Sequence, residues 1–438
     1  PVFPASGDGF LNDQIFGSPK AVMLTHGALI AQIEMLKHSL KLYDRSKDWA
    51  VSWLPLFHDM GLIGFLLTPM VTGGEVNLLQ TEEFILRPSS WLKALTERKA
   101  TITGGPPSAY ALCAKRIKES EVGQYDLSAV RVALVGAETV TRESLSAFAE
   151  KFRPAGFRST SLMPTYGLAE SALAVTMPPL DSEPEFDTVD FGALAGGLAA
   201  GQAVGQAFQP AVTDGLESPP LQSPLLQSPS LQTRVFASVG APLPGVELAI
   251  VNESGGRLPE RHTGEIILRS PSMMSGYLRD EEATRSALRD GWLYTGDLGY
   301  LANGQLFIIG RKKELIIVGG RNYYPDDVEQ IACAVPGVRA GRVVAIGVED
   351  AEQATERLVV LAEIDKTESD ERDSLKMLVR HTLIAAGYPV SDVVLLKPKS
   401  IQSTLTGKPM RVQSKARFLA GEFSSTDATD ATDGTDIK

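Results

Sequence analysis

The chain has 438 residues, with 42 Lys and Arg against 53 Asp and Glu (net charge −11) and 43% hydrophobic residues. That apolar fraction excludes wholesale disorder, and at ~150 residues per domain the length suggests two to three packed domains. Two cysteines, Cys113 and Cys333, can neither staple a secreted scaffold nor form a tetrahedral zinc site, which points to a reducing, cytoplasmic setting. The acidic balance argues against nucleic acid or an anionic membrane as the main partner. No apolar run reaches the ~20 residues of a membrane helix, and residues 1–10 lack a signal-peptide pattern. The first residue is Pro1 rather than Met, which reads as a processed start or a fragment.

Through the first 180 residues, β-rich apolar runs at 50–54, 76–79, 101–103 and 130–135 alternate with helical patterns such as 91–98 and 142–151, the rhythm of an α/β layered domain. Between 181 and 232 the composition turns Gly/Ala-rich and then gives Leu-Gln-Ser-Pro units, with Ser218-Pro219, Ser223-Pro224 and Ser228-Pro229 five residues apart. Proline at that density blocks helices and ladders, so an exposed insertion over about 184–234 is expected. Strands follow at 246–251 and 265–269. A smaller α/β unit starts after Gly310, with strands at 315–318, 343–346, 358–364 and 393–396 and helices at 325–334 and 374–386. The Thr/Asp-rich residues from 424 have too few apolar groups to fold and read as a tail or linker.

Five motifs carry candidate chemistry, each with a plain structural alternative. Gly17-Ser18-Pro19-Lys20 is a turn with a cation at its exit, either only a turn or a phosphate contact through Lys20. The run from Trp53 to Gly61 presents His58 and Asp59 after a strand-like segment, and the apolar residues 62–70 behind it are either core or the lining of an apolar pocket. Tyr166-Gly167-Leu168-Ala169-Glu170 reads as a glycine turn opening a helix with an acidic first turn, or as an aromatic for a nucleobase with a carboxylate for a divalent cation. Asp297, after Tyr294-Thr295-Gly296, and Arg311, fourteen residues on, suit a vicinal diol, with surface pairing as the alternative. Thr404-Leu405-Thr406-Gly407-Lys408 is a polar turn displaying one lysine.

Taken in order, Gly17-Ser18-Pro19-Lys20, Tyr166 to Glu170, Tyr294 to Asp297, Gly310-Arg311 and Gly407-Lys408 resemble the motif series of the adenylate-forming superfamily over roughly residues 17–419. Ser52-Trp53-Leu54-Pro55, Gly104-Gly105-Pro106-Pro107-Ser108, Gly136-Ala137-Glu138 and Gly320-Arg321-Asn322-Tyr323-Tyr324-Pro325 are most similar to the fatty acyl-AMP ligases. The resemblance implies an α/β adenylate-forming fold. A large N-terminal domain of stacked α/β subdomains would span 1–312, incomplete at its front, with a small mobile α+β C-terminal domain over 313–421 and a tail over 422–438. It implies ATP and Mg²⁺ as cofactors, a fatty acid as substrate and the phosphopantetheine of an acyl carrier protein as acceptor. Carried over by position, Tyr166 and Gly167 would meet adenine, Gly136, Ala137, Glu138 and Lys20 would line the nucleotide, and Glu170 would hold Mg²⁺. Asp297 and Arg311 would bind ribose, Lys313 would be the hinge, His58 would lie beside the acyl pocket and Lys408 would be the catalytic lysine.

The chemistry fits that assignment independently. A fatty carboxylate is ionised at pH 7 and needs no general base to attack the α-phosphorus. The barrier lies in bringing two anions together, so cations are the useful groups. The stretch before Pro19 reads Asp13-Gln14-Ile15-Phe16-Gly17 where the family has glycines and hydroxyls, and the family's long segment ahead of this loop is missing. These departures keep open an inactive truncated remnant that only binds ligand or partner; a long-chain fatty acid-CoA ligase, with CoA as the acceptor, is a separate alternative.

Overall fold

The computed structural model describes residues 2–4, 20–42, 48–190, 201–202, 233–319, 321–350, 355–365, 369–403 and 409–423. The phosphate-loop residues 13–19, the Leu-Gln-Ser-Pro units and residues 404–408, Lys408 among them, lie outside these. Two compact units divide the chain between Ile309 and Gly310, three residues before the expected boundary.

In the first unit, Glu75–Leu78, Trp49–Ser52, Ile102–Gly105, Val132–Val135 and Leu162–Pro164 form, in that spatial order, a parallel five-stranded sheet. Its inner strands are short buried runs, as expected when both faces are covered. One face carries a chain of aromatics. Trp53 stacks on Phe84 at 3.8 Å, Trp91 meets Tyr110 at 5.2 Å, and Tyr110 meets Phe148 at 5.1 Å. Their polar tips are satisfied: Trp91 Nε1 donates to Thr103 Oγ1 (2.8 Å), and the Tyr110 hydroxyl donates to the Leu134 carbonyl (2.9 Å). The helix His26–Ser39 is capped by Thr25, whose hydroxyl accepts from Ala28 N. Its C-terminal end is tied to the sheet by Arg131, which forks onto Asp48 (2.9 and 2.8 Å) and also donates to the Leu40 carbonyl (2.9 Å).

Beyond the parallel sheet, Glu247–Val251, Gly264–Arg269 and Trp292–Ala302 pair antiparallel, and Gln305–Arg311 continues from the last of these. The expected insertion begins later than its composition suggested. Phe186–Asp190 is a strand paired with Thr233–Ala237, residue for residue from Phe186↔Ala237 to Asp190↔Thr233. Asp187, fully buried, anchors that pair: its Oδ2 accepts from Arg261 (3.1 Å) and from the Tyr300 hydroxyl (2.9 Å).

In the second unit, Thr355–Ile364 is the central strand, antiparallel to Val338–Asp350 and parallel to Val390–Leu396. The helices are Pro325–Cys333, Ser369–Ala385 and Arg411–Leu419, and a hairpin pairs Ile316–Val318 with Arg321–Tyr323. Among the described residues, no helix is long and apolar enough to cross a membrane.

Candidate active site

Tyr166 and Glu170 do not open a helix as their glycine turn suggested. Tyr166–Gly167 is a two-residue strand against Ala174–Met177, joined by a 3₁₀ turn at Ala169–Ser171. The reason is local. At Gly167 a Cβ would lie 2.0 Å from the Leu173 carbonyl oxygen, and Ala172 turns the chain at φ 62°. The hairpin buries both candidate side chains. The Tyr166 hydroxyl donates to Asp297 Oδ2 at 2.7 Å, joining residues 131 positions apart. Asp297 reaches this point from a bulge: Ile267 faces Tyr294 while Glu265 faces Leu298, so Thr295-Gly296-Asp297 lies opposite the single residue Ile266, two residues in excess. Gly296 supplies φ 74°, and Thr295 Oγ1 accepts from Asp297 N (3.1 Å).

Glu170 has a partner that sequence reading missed. The Tyr277 hydroxyl donates to Glu170 Oε1 at 2.7 Å, and Lys20 Nζ stands 4.8 Å from the centre of the Tyr277 ring. Burial, reinforced by the Glu170 charge, pushes the Tyr277 hydroxyl well above its ordinary range, so it remains a donor. The pairing of Ala21–Met23 with Gly276–Tyr277 brings Lys20 and Tyr277 together. A cation, a phenol and a buried carboxylate therefore sit in one cluster.

The remaining expected residues take mixed roles. Gly136 follows the strand Val132–Val135, and a Cβ there would meet the Thr165 carbonyl oxygen at 3.0 Å. Ala137 holds φ 68°, which costs a non-glycine residue about 1–2 kcal/mol and is the kind of strain found beside functional sites. Glu138 is turned to the start of the helix Pro107–Arg116, accepting from Ser108 N (3.2 Å) and Ser108 Oγ (3.0 Å), so part of its charge completes that helix end. His58 lies in the turn before the wide helix Met60–Leu67. Its Nδ1 is 2.8 Å from Asp59 Oδ1 and 3.2 Å from Met60 N, so the tautomer decides which of the two it bonds. Arg311 and Lys313 belong to the second unit; Lys313 occupies the turn Lys312–Glu314.

A small apolar cavity of about 50 Å³ lies against the sheet face opposite the aromatic chain. Leu36, Gly64, Phe65, Ile102, Leu134 and Leu173 line it. The Met60–Leu67 segment thus lines a pocket, and Leu173 is three residues beyond Glu170.

A buried carboxylate engaged by one phenol beside a lysine fits a magnesium ion bound mainly through nucleotide phosphates and water, since Mg²⁺ commonly takes one or two carboxylates. Among the described residues there is no cluster of three or more His, Cys, Asp or Glu for a protein-only metal cage.

The chain matches the family described as AMP-binding enzyme over residues 17–198 and 223–278. It is 35% identical over 410 residues to a putative acyl-CoA synthetase of Caulobacter vibrioides, covering 93% of this chain and 67% of that protein. It is 32% identical over 425 residues to the medium-chain-fatty-acid acyl-carrier-protein ligase JamA of Moorena producens, covering 94% and 67%. A chain solved in structural and functional studies of fatty acyl-adenylate ligases from E. coli and L. pneumophila superposes with a TM-score of 0.79 at 34% identity, covering 96% of this chain and 70% of that one. The chain spans about two thirds of the length of these relatives. With the family matched over more than half its length and the mixed α/β architecture shared, the chain belongs to the AMP-binding, adenylate-forming enzymes, as an AMP-forming ligase of the fatty acyl-AMP ligase group.

Proposed function

We propose that this chain activates a fatty acid with ATP and passes the acyl group to the phosphopantetheine thiol of an acyl carrier protein. The observation that carries this reading is the Glu170–Tyr277–Lys20 cluster three residues from the wall of an apolar cavity. A carboxylate oxygen of the acid attacks the α-phosphorus, the bond from that phosphorus to the bridging oxygen breaks, and pyrophosphate leaves with its electron pair. The thiol then attacks the acyl carbonyl and AMP departs. Magnesium, when bound, neutralises phosphate charge. Glu170 holds it, Tyr277 fixes the Glu170 carboxylate, and Lys20 adds a cation on the phosphate side. Tyr166 and Asp297, already joined at 2.7 Å, orient adenine and ribose, with Arg311 as a second ribose contact. Lys408 supplies the cation that lets the two anions approach, and Lys313 is the hinge.

The test is incubation with ATP, Mg²⁺ and a panel of fatty acids, with pyrophosphate release and hydroxylamine trapping as readouts. Absence of both products rules out activity in this chain. Nucleotide-dependent thermal stabilisation without turnover would instead favour a ligand-binding remnant, the reading supported by Asp13-Gln14-Ile15-Phe16 ahead of Gly17. Likeness to a putative acyl-CoA synthetase supports CoA as the alternative acceptor. Comparing acylation of CoA and of a holo carrier protein decides between them.

A further inference from the structure

The helix Arg411–Leu419 begins three residues after Lys408, and its first side chain is only 11% exposed. Arg411 Nε and Nη2 fork onto Glu329 (2.7 and 2.8 Å), Nη1 donates to Glu314, and Nη2 also donates to Asp326. These partners lie 82 to 97 residues earlier in the chain. Glu314 closes the turn that contains Lys313, Asp326 and Glu329 lie on the helix Pro325–Cys333, and Glu329 Oε1 also accepts from Ala345 N (3.0 Å) on the long strand. One turn further along the Arg411 helix, Lys415 pairs with Glu356 (3.7 Å), whose other oxygen accepts from Ile317 N (2.8 Å) just past the same turn. The two ends flanking residues 404–408 are joined: Ser403 bridges Pro409, and Met410 N donates to the Gln402 carbonyl (2.9 Å). Arg342 donates to Ser403 Oγ, and Ile401 N donates to Glu363 (2.7 Å).

A planar guanidinium presents five N–H donors in a fixed fork, so it can grip one carboxylate with two parallel bonds while reaching others, a geometry the three donors of an ammonium do not reproduce. We propose that Arg411 is a positioning residue that fastens the Lys312–Glu314 turn, at the boundary of the two units, to the stem of the segment carrying Lys408. The tie fixes the backbone flanking residues 404–408 relative to that turn. The inference rests on the roles proposed above for Lys408 and Lys313.

The experiment compares Arg411→Lys, Arg411→Met, Glu314→Gln and Lys408→Ala in the full chain, with Lys376→Met as a control for loss of an exposed ion pair of the same unit. Readouts are kcat and KM for acyl-AMP formation, together with Tm. Arg411→Lys and Glu314→Gln should keep Tm within a few degrees and KM for ATP within about twofold, yet lose about 30-fold or more in kcat. Lys376→Met should match the wild type. Wild-type kcat in both Arg411→Lys and Glu314→Gln overturns the proposal, as does a kcat loss that merely tracks the unfolded fraction. If Arg411→Met does not fold, the other two variants still decide. Wild-type kcat in Lys408→Ala would instead sink the reading of the lysine on which the proposal stands.

Discussion

Tyr277→Phe isolates one atom of the proposed centre. It removes the hydroxyl that donates to Glu170 at 2.7 Å while leaving the ring that Lys20 faces at 4.8 Å. A hydrogen bond to a charged group is worth about 1.5–3 kcal/mol net, about 10- to 150-fold in an equilibrium or rate constant. If Glu170 holds the Mg²⁺ of the nucleotide, kcat/KM for Mg·ATP should fall by about tenfold or more, and half-saturation should need more Mg²⁺. The assay is pyrophosphate release with Mg²⁺ titrated at fixed ATP. Tyr300→Phe is the matched comparison, because it deletes the same kind of bond, 2.9 Å to Asp187, at the base of the insertion. It should lower Tm without changing the Mg²⁺ requirement. Equal Mg²⁺ curves for Tyr277→Phe and the wild type would refute the assignment of Glu170. Equal shifts in both variants would show a general loss of stability instead.

Gln32 is fully buried on the helix His26–Ser39, and neither of its amide atoms has a hydrogen-bond partner among the described residues. Gln32→Met should raise stability by about 1–3 kcal/mol in a denaturant titration, and a loss would mean that the amide is satisfied by a bound molecule. At Gly64 a Cβ would lie 3.3 Å from Leu173 Cδ2, so Gly64→Val should narrow the cavity and shift preference to shorter acids. Each excluded methylene is worth about 0.8 kcal/mol, roughly fourfold in kcat/KM, and an unchanged chain-length profile would place the acid elsewhere. Burial raises the hydroxyls of Tyr110, Tyr277 and Tyr300 above the ordinary tyrosine value near 10. Above pH 10 the unfolded chain loses these protons first and the folded chain retains them. Stability measured by chemical denaturation should therefore fall as pH rises beyond 10, by up to about 1.4 kcal/mol per pH unit for each tyrosine, and Tyr300→Phe should flatten the slope.

What the sequence made legible follows from where the signal is local. Parallel strands buried on both faces are short unbroken apolar runs, and within 130–135 the strand Val132–Val135 is the part that follows Arg131 with nothing polar in it. The strand Val338–Asp350 was foreseen only at 343–346. Arg339, Gly341 and Arg342 break its apolar pattern, and its pairing with Thr355–Ile364 shifts register between Val338 and Val343. Phe186–Asp190 was hidden inside a stretch read by composition, although its partner, forty-odd residues on, makes it a strand. The site divides the same way. Tyr166, Glu170 and Asp297 are expected site residues from the sequence, but their arrangement depends on a Cβ-free position at Gly167 and a bulge at Gly296, which belong to tertiary packing. Tyr277 and Arg411 escaped for a related reason. Each acts through partners about a hundred residues away, so neither local periodicity nor spacing could mark them, and only pairing across the fold gives them a role.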